Sequence, residues 1–189
     1  MMYKNSIGEV DSSFLSDEEI SKSEIQSVKD FVGSDFDTVE TDFLSLDGKL
    51  RPQSQRDLRA LAFSLLYAVD RHENNITVDA VADLYRKCFE LELEQDSFAL
   101  VLARGVSDEI VVLDDHIKPL LKNWKFERLG CCTRLILRMA IWELLQPNAL
   151  ASVVINEAIE LSKAFAEKDA YKFINGILDE FCKIQQLKK

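Results

Sequence analysis

Residues 153–182 read VVINEAIELSKAFAEKDAYKFINGILDEFC. Apolar side chains recur every three or four residues in two runs, a spacing that places them on one face of a helix. A polar elbow, residues 166–169, separates the runs, and the Asp169 side chain can accept a hydrogen bond from the first free N–H groups of the second helix. Gly176 lies inside the second run, where glycine costs about 1 kcal/mol relative to alanine, so we expect a close backbone approach there. The pattern predicts a packed pair of helices.

The composition is typical of one globular domain. Of the 189 residues, 47% are apolar and 30% are charged, and the low numbers of glycine (6) and proline (3) disfavour a turn-rich β sandwich. The four cysteines have no CxxC spacing and follow no recognisable secretory leader, which favours reduced thiols. No apolar run approaches the roughly 18 residues that a membrane span requires. We therefore expect a cytoplasmic protein without membrane contact, metal or cofactor.

The net charge of −10 is unevenly distributed along the chain. Residues 1–50 hold 12 acidic and 4 basic side chains, whereas residues 51–189 hold 21 and 19. Apolar residues are also thinly spread in the acidic part, which disfavours a packed core there. The sequence therefore predicts two parts: an acidic, partly disordered N-terminal extension over 1–53, and a nearly neutral helical domain over 54–189. A nearly neutral domain does not exclude nucleic acid as a ligand.

The same periodicity predicts further helices upstream of the elbow. They are expected over 54–72 with Ser54 as the cap, from Thr77 or Asp79 to about Leu91, over about 95–121, and through CCTRLILRMAIWELL at 131–145. Pro119 should bend or end the third of these. The fold predicted from these patterns is all-α.

Two groups of side chains have competing interpretations. Arg56 and Arg59 are three residues apart on one side of a helix, with Arg51 just before it. They form either a solvated basic face or a strip that binds RNA phosphates, because guanidinium groups contact phosphates in bidentate fashion. At the elbow, Phe173 is either a core residue or a platform for an RNA base beside Lys172, which would hold a phosphate.

We find no pattern that predicts an enzyme. A hydrolase needs a nucleophile and a base held together, but the chain has only two histidines, and neither lies in a recognisable motif. A dyad of His116 with Cys131 or Cys132 has little support from the sequence. Glycines are isolated, so there is no phosphate-binding loop.

The motif INEAIELSKAF, followed after a polar gap by KFINGILD, strongly resembles the C-terminal signature of the NusB family of transcription antitermination factors. The segment RDLRALAFSLLY resembles the arginine-rich start of that family, and the resemblance covers about residues 56–182. It implies an all-α fold of about seven helices in two subbundles packed crosswise, and a non-enzymatic function.

The resemblance also implies partners. Family members pair with NusE, a small-subunit ribosomal protein, and the heterodimer recognises single-stranded boxA RNA within the antitermination complex of the elongating RNA polymerase, notably during ribosomal RNA synthesis. On this basis, the residues expected to bind RNA are Arg51, Arg56, Arg59, Asp169, Lys172 and Phe173. Those expected to face the protein partner are Tyr67, Thr133 and Arg138.

Some positions depart from the family pattern. Ser54 and Asp57 stand where relatives often have extra arginines, and Thr133 stands where an acidic residue is common. These departures motivate an alternative, namely a diverged NusB-like protein-interaction module without strong RNA binding. RNA cytosine methyltransferases carry a NusB-like domain at their N-terminus, but this chain ends at Lys189 with no methyltransferase domain, which disfavours that class.

Overall fold

The computed structural model describes residues 51–122 and 124–187. These residues contain seven α helices and no β strand, which confirms the predicted all-α fold. Predictions for residues 1–50 lie outside the described residues. The helices are α1 (Gln55–Arg71), α2 (Val78–Phe89), α3 (Phe98–Asp108), α4 (Ile110–Ile117), α5 (Cys131–Leu145), α6 (Ala151–Phe165) and α7 (Ala170–Ile184), with two short 3₁₀ turns at Lys118–Leu120 and Phe126–Arg128.

The first two helices begin at the predicted caps. The Ser54 hydroxyl accepts a hydrogen bond from the Asp57 backbone N–H at 3.1 Å, and the Asp57 carboxylate accepts one from the Ser54 backbone N–H at 2.9 Å. This reciprocal capping box satisfies two N–H groups that a helix start leaves free. Thr77 caps α2 in the simpler way, by accepting from the Ala80 N–H. Asp57, at a place where an arginine was expected, therefore stabilises the start of α1.

The single long helix predicted over 95–121 is wrong, because the chain bends at Glu109 and forms α3 and α4. The hydrogen-bond ladder continues through the bend, since the Glu109 N–H donates to Gly105 and the Glu109 carbonyl accepts from Leu113. The bend lets α3 pack against α1 while α4 packs against α5. Pro119 lies in the 3₁₀ turn that follows α4, as its missing N–H predicts.

Helix α5 is the centre of the molecule and contacts α1, α3, α4, α6 and α7. Its residues are buried on nearly every side, which a one-sided amphipathic pattern does not produce. Gly105 on α3 allows the closest of these contacts, because a Cβ there would overlap the Trp142 indole. Trp142 is therefore a core residue.

Helices α6 and α7 form the predicted packed pair beside α5. The Phe165 ring at the end of α6 stacks on Phe63 of α1, with 4.6 Å between ring centroids, which ties the pair to the first helix. The explanation expected for Gly176 is wrong: a Cβ there would meet nothing within 4 Å. Among the described helices, none is long and apolar enough to cross a membrane.

Candidate nucleic-acid interface

The three arginines near the start of α1, here called the arginine face (Arg51, Arg56 and Arg59), do not share one environment. The Arg59 side chain is only 10% exposed. Its guanidinium donates to both carboxylate oxygens of Glu143 on α5, at 2.7 to 3.1 Å, and lies 5.1 Å from the Phe98 ring centroid. A buried charge requires such a partner, because an uncompensated charge in the interior is strongly destabilising. Arg59 therefore joins α1 to α5.

Arg56 is one turn earlier and its side chain is 57% exposed. It donates through Nε and Nη2 to the two carboxylate oxygens of Glu157 on α6, at 3.2 and 2.9 Å. The hydrogen bond and the charge of Glu157 raise the pKa of the Arg56 guanidinium. Arg51, before α1, is also exposed. Because the Arg56 side chain is exposed, its guanidinium is accessible to a phosphate, whereas the Glu157 side chain is only 14% exposed.

The elbow between α6 and α7 differs from the sequence prediction in one respect. Asp169 adopts a left-handed backbone conformation with φ of 68°, and its side chain makes no capping bond to the first N–H groups of α7. The carboxylate instead pairs with the Lys172 ammonium at 2.8 Å. That hydrogen bond raises the pKa of Lys172, whose side chain is 65% exposed. The predicted capping role of Asp169 is therefore wrong, and its carboxylate lies at the surface beside a cation.

Phe173 follows within the same turn of α7 and is partly buried against the core. Its ring meets the indole of Trp124 edge to face, with 6.3 Å between centroids. Both rings line a cavity of about 380 Å³ whose wall also includes Arg128 and Asp169. We call Trp124, Asp169, Lys172 and Phe173 the elbow surface. It combines aromatic rings with an ammonium and a carboxylate, the groups that stack on bases, hold phosphates and bind base edges.

The structure separates the arginine face from the elbow surface. Arg56 meets α6 at Glu157, whereas the elbow begins after Phe165. Eight helical residues span about 12 Å along the axis, so Glu157 and the start of the elbow lie about 12 Å apart along α6. A ligand that touches both must therefore be extended.

The three residues predicted to face a protein partner are largely turned inward. Thr133 is buried, and its hydroxyl donates to the Glu167 carboxylate at 2.8 Å. Arg138 is buried in a bidentate pair with Asp114 of α4, at 2.7 and 2.8 Å. Tyr67 is half-buried and its ring lies 6.1 Å from that of Phe63. These contacts give Thr133 and Arg138 structural roles, while their predicted partner contacts stay predictions.

The thiol dyad considered from the sequence receives no geometric support. The Cys131 thiol donates to the Asp70 carboxylate at 3.0 Å. Burial, with a further contribution from that hydrogen bond, raises the pKa of Cys131 to about 12, so the thiolate that attacks a substrate is disfavoured. His116 packs edge-on against Phe181 instead. Over the described residues, no cluster of three His, Cys, Asp or Glu side chains could hold a metal ion.

Trp124 was not among the predicted site residues, although the sequence contains a signal for it. The segment Trp124-Lys125-Phe126 places aromatic rings next to a cation between two predicted helices. Such a segment has no helical periodicity that would bury its rings. The partners of the buried arginines, Glu143 and Asp114, could not be identified in this way because they are far away in the sequence.

Known proteins similar to this chain agree on one fold. The model of the NusB family matches residues 56–183. The transcription antitermination protein NusB of Staphylococcus epidermidis is 41% identical over 125 residues, which cover 66% of this chain and 95% of that protein. The Staphylococcus aureus protein of the same name is 39% identical over 131 residues, 69% and 99% of the two chains. A solved structure of T. maritima NusB matches with a TM-score of 0.58 and 26% identity, covering 70% of this chain and 93% of that one.

Proposed function

Because this chain belongs to the NusB family of non-enzymatic transcription antitermination proteins, we propose that it binds single-stranded boxA-type RNA as a heterodimer with the ribosomal protein NusE. In this proposal the heterodimer joins the antitermination complex of the elongating RNA polymerase in the cytoplasm, notably during ribosomal RNA synthesis. The observation that carries the proposal is the elbow surface, where an ammonium, a carboxylate and aromatic rings are all accessible.

Each group on the elbow surface has a role that follows from its chemistry. Phe173 stacks on an unpaired base, because sequence-specific recognition of RNA relies on splayed-out bases held against aromatic rings. Lys172 exchanges the Asp169 carboxylate for a backbone phosphate, and the released carboxylate can then accept hydrogen bonds from a base amino group. Arg56, with Arg51 beside it, supplies phosphate contacts further along an extended strand.

Arg59 has a different role in this proposal. Its guanidinium is occupied by Glu143 and its side chain is nearly inaccessible. We therefore assign it to holding the start of α1 against α5, so that Arg56 keeps its position. A direct phosphate contact by Arg59, as the sequence suggested, stays a prediction that the salt dependence of RNA binding can test.

The NusE-facing surface is proposed to lie around Tyr67 and the start of α5. Thr133 replaces an acidic residue common in the family, but its hydroxyl is bonded to Glu167, whose side chain is exposed at the elbow. Glu167 therefore brings a negative charge to the position where the family pattern has one. Arg138 pairs with Asp114 of α4 and so holds α5 against that helix.

One observation favours the alternative of a diverged protein-interaction module without strong RNA binding. Arg56, Arg59 and Lys172 are each paired with a carboxylate of the same chain, so every phosphate contact must displace an internal partner. The alternative predicts that a protein partner binds while boxA-type RNA does not.

The test compares the affinity for boxA-type RNA with that for a scrambled RNA, with and without NusE, at a low and a high salt concentration. We expect preferential binding that tightens with NusE. Lys172→Ala should weaken it, because one phosphate contact is lost. Lys183→Ala is the matched control, since Lys183 forms the same kind of exposed ion pair on the same helix, about 16 Å further along. Weak binding that ignores sequence, with or without NusE, would contradict the proposal and support the alternative.

A further inference from the structure

Trp124 is unusually exposed for a large aromatic residue. The residue is 59% exposed, and its ring meets that of Phe173 edge to face. The segment that carries it lies between the two 3₁₀ turns, so no helix pattern requires an aromatic residue there. Leaving an indole in water is unfavourable, and tryptophan is enriched where one partner surface covers another.

Trp124 and Phe173 together form a ridge between two cavities. The cavity of about 380 Å³ lies on the elbow side, with Arg128, Lys168 and Asp169 in its wall. The second, of about 270 Å³, lies towards the end of α4, and its wall includes Lys122, Gly176 and Glu180. Both are lined by the same two aromatic rings. Their sizes lie near the lower end of the range for small-molecule sites, which fits single flat rings better than a helix or strand of a protein.

Gly176 keeps the second cavity open. It lies in the middle of α7, where glycine destabilises a helix relative to alanine, yet a Cβ there would meet nothing within 4 Å. The fold of this chain therefore gives no reason for the absence of a side chain. A ligand that enters the second cavity and closely approaches the α7 backbone explains why this position has no side chain.

The rims of both cavities carry exchangeable cations. Lys122 is exposed and its ammonium lies 3.4 Å from the Glu180 carboxylate, so the pair is loose. Arg128 and Lys168 are exposed beside the first cavity. Aromatic walls with cations at their rims match the two chemical parts of a nucleotide, namely a flat base and a phosphate.

We propose that the Trp124–Phe173 ridge takes two consecutive unpaired RNA bases, one in each cavity, with the base in the second cavity lying against Gly176. This inference rests on the proposed function and adds to it Trp124 as a base-binding residue and Gly176 as the residue that admits the second base. Because the rings meet edge to face at 61°, the two bases contact different ring surfaces and are not stacked on each other.

The experiment uses the full chain and a single-stranded boxA-type RNA, together with versions of that RNA that lack one base at each position in turn. Wild-type protein should lose affinity when either of two adjacent bases is missing. Trp124→Ala should bind the intact RNA about tenfold more weakly and should respond less to the loss of those bases, since one of the two stacking rings is gone while Phe173 remains. Trp124→Phe should retain most of the affinity, because it keeps an aromatic face.

Gly176→Leu provides the second, independent variant. The side chain has free space, so the helix should fold normally, as circular dichroism can verify. It fills the second cavity only, so the response to one of the two missing bases should disappear while the other remains. Leu150→Ala is the control, because Leu150 is also a large exposed apolar residue but lies at the start of α6, outside both cavities.

The outcomes separate this inference from the proposed function. If wild-type protein fails to bind the RNA both alone and together with NusE, the proposed function is contradicted, and the inference with it. If wild-type protein binds but Trp124→Ala and Gly176→Leu bind equally well, only the inference is overturned. Loss of NusE affinity with unchanged RNA affinity in Trp124→Ala would assign the ridge to a protein interface and would also overturn it.

Discussion

In the arginine face a charged residue is buried, and in the elbow surface a large aromatic residue is exposed, which is the reverse of the usual distribution. Arg59, a cation, is buried against α5, whereas Trp124, an aromatic residue, stands largely in solvent. The reason lies in their partners: Glu143 neutralises Arg59, while the Trp124 ring meets Phe173 edge to face and lines two cavities. The comparison shows that arginines at helical spacing can belong to the core, so their spacing alone does not predict a binding surface. An exposed aromatic residue is the better indicator of a ligand.

The largest effect is expected from breaking the buried pair on the arginine face. Arg59→Ala leaves the Glu143 carboxylate buried without its cation, which should reduce the free energy of unfolding by about 3–5 kcal/mol. Urea denaturation followed by circular dichroism measures this. Replacing both partners by apolar residues, Arg59→Met with Glu143→Leu, should restore much of the stability. A wild-type free energy of unfolding for Arg59→Ala would show that the pair does not hold α1 in place.

Substitutions at two glycines, one in the interior and one facing open space, should have opposite effects on stability. Gly105→Ala places a methyl group into the Trp142 indole and should lower the free energy of unfolding by about 1–3 kcal/mol. Gly176→Ala meets open space and should raise it by up to about 1 kcal/mol, because alanine is the better helix former. Thermal or urea unfolding of both variants measures whether the free energy of unfolding falls for Gly105→Ala and rises for Gly176→Ala. Equal destabilisation by both would mean that Gly176 is packed in solution.

The smallest effect on stability is expected at the exposed arginine. Arg56→Ala should lower the free energy of unfolding by about 1 kcal/mol, because the Arg56 side chain is exposed but the Glu157 carboxylate, whose side chain is 14% exposed, loses its partner. In RNA-binding titrations, however, the slope of log affinity against log salt should fall by about 0.7, the value for one phosphate contact on a single strand. Arg56→Lys keeps the charge and should keep the slope. An unchanged slope in Arg56→Ala together with a reduced slope in Arg59→Ala would reverse the assignment of the two arginines.

Much of the fold follows from local sequence patterns. Apolar spacing of three and four residues predicted α1, α2, α5, α6 and α7 within about two residues of their observed ends. Ser54 was identified as a cap, and Thr77 as one of two possible starts. Such signals act over one or two turns of chain, so they can be interpreted without knowing what the helix packs against. The signature at the α6–α7 elbow likewise indicated the family before any geometry was considered.

Other features depend on contacts between distant parts of the chain. The bend at Glu109 lets α3 pack against α1 and α5 while α4 packs against α5, and local periodicity carries no information on those contacts. Asp169 has a suitable side chain for a cap, but its left-handed backbone directs the carboxylate to Lys172. For the candidate site, the sequence identified Lys172 and Phe173 as candidates, while Trp124 joins them only because the turn after α4 brings it to α7.

The amino-acid sequence by itself therefore determined five of the seven described helices, the Ser54 cap and the family, because these depend on neighbours within a few residues. Tertiary structure alone decided which arginine is accessible, since Arg59 meets Glu143 from 84 residues away while Arg56 meets Glu157 near the surface. It also decided that Trp124 remains outside the core and that Gly176 faces open space. Burial and ion pairing depend on which distant segments contact each other, and the packing of the whole helical domain determines those contacts.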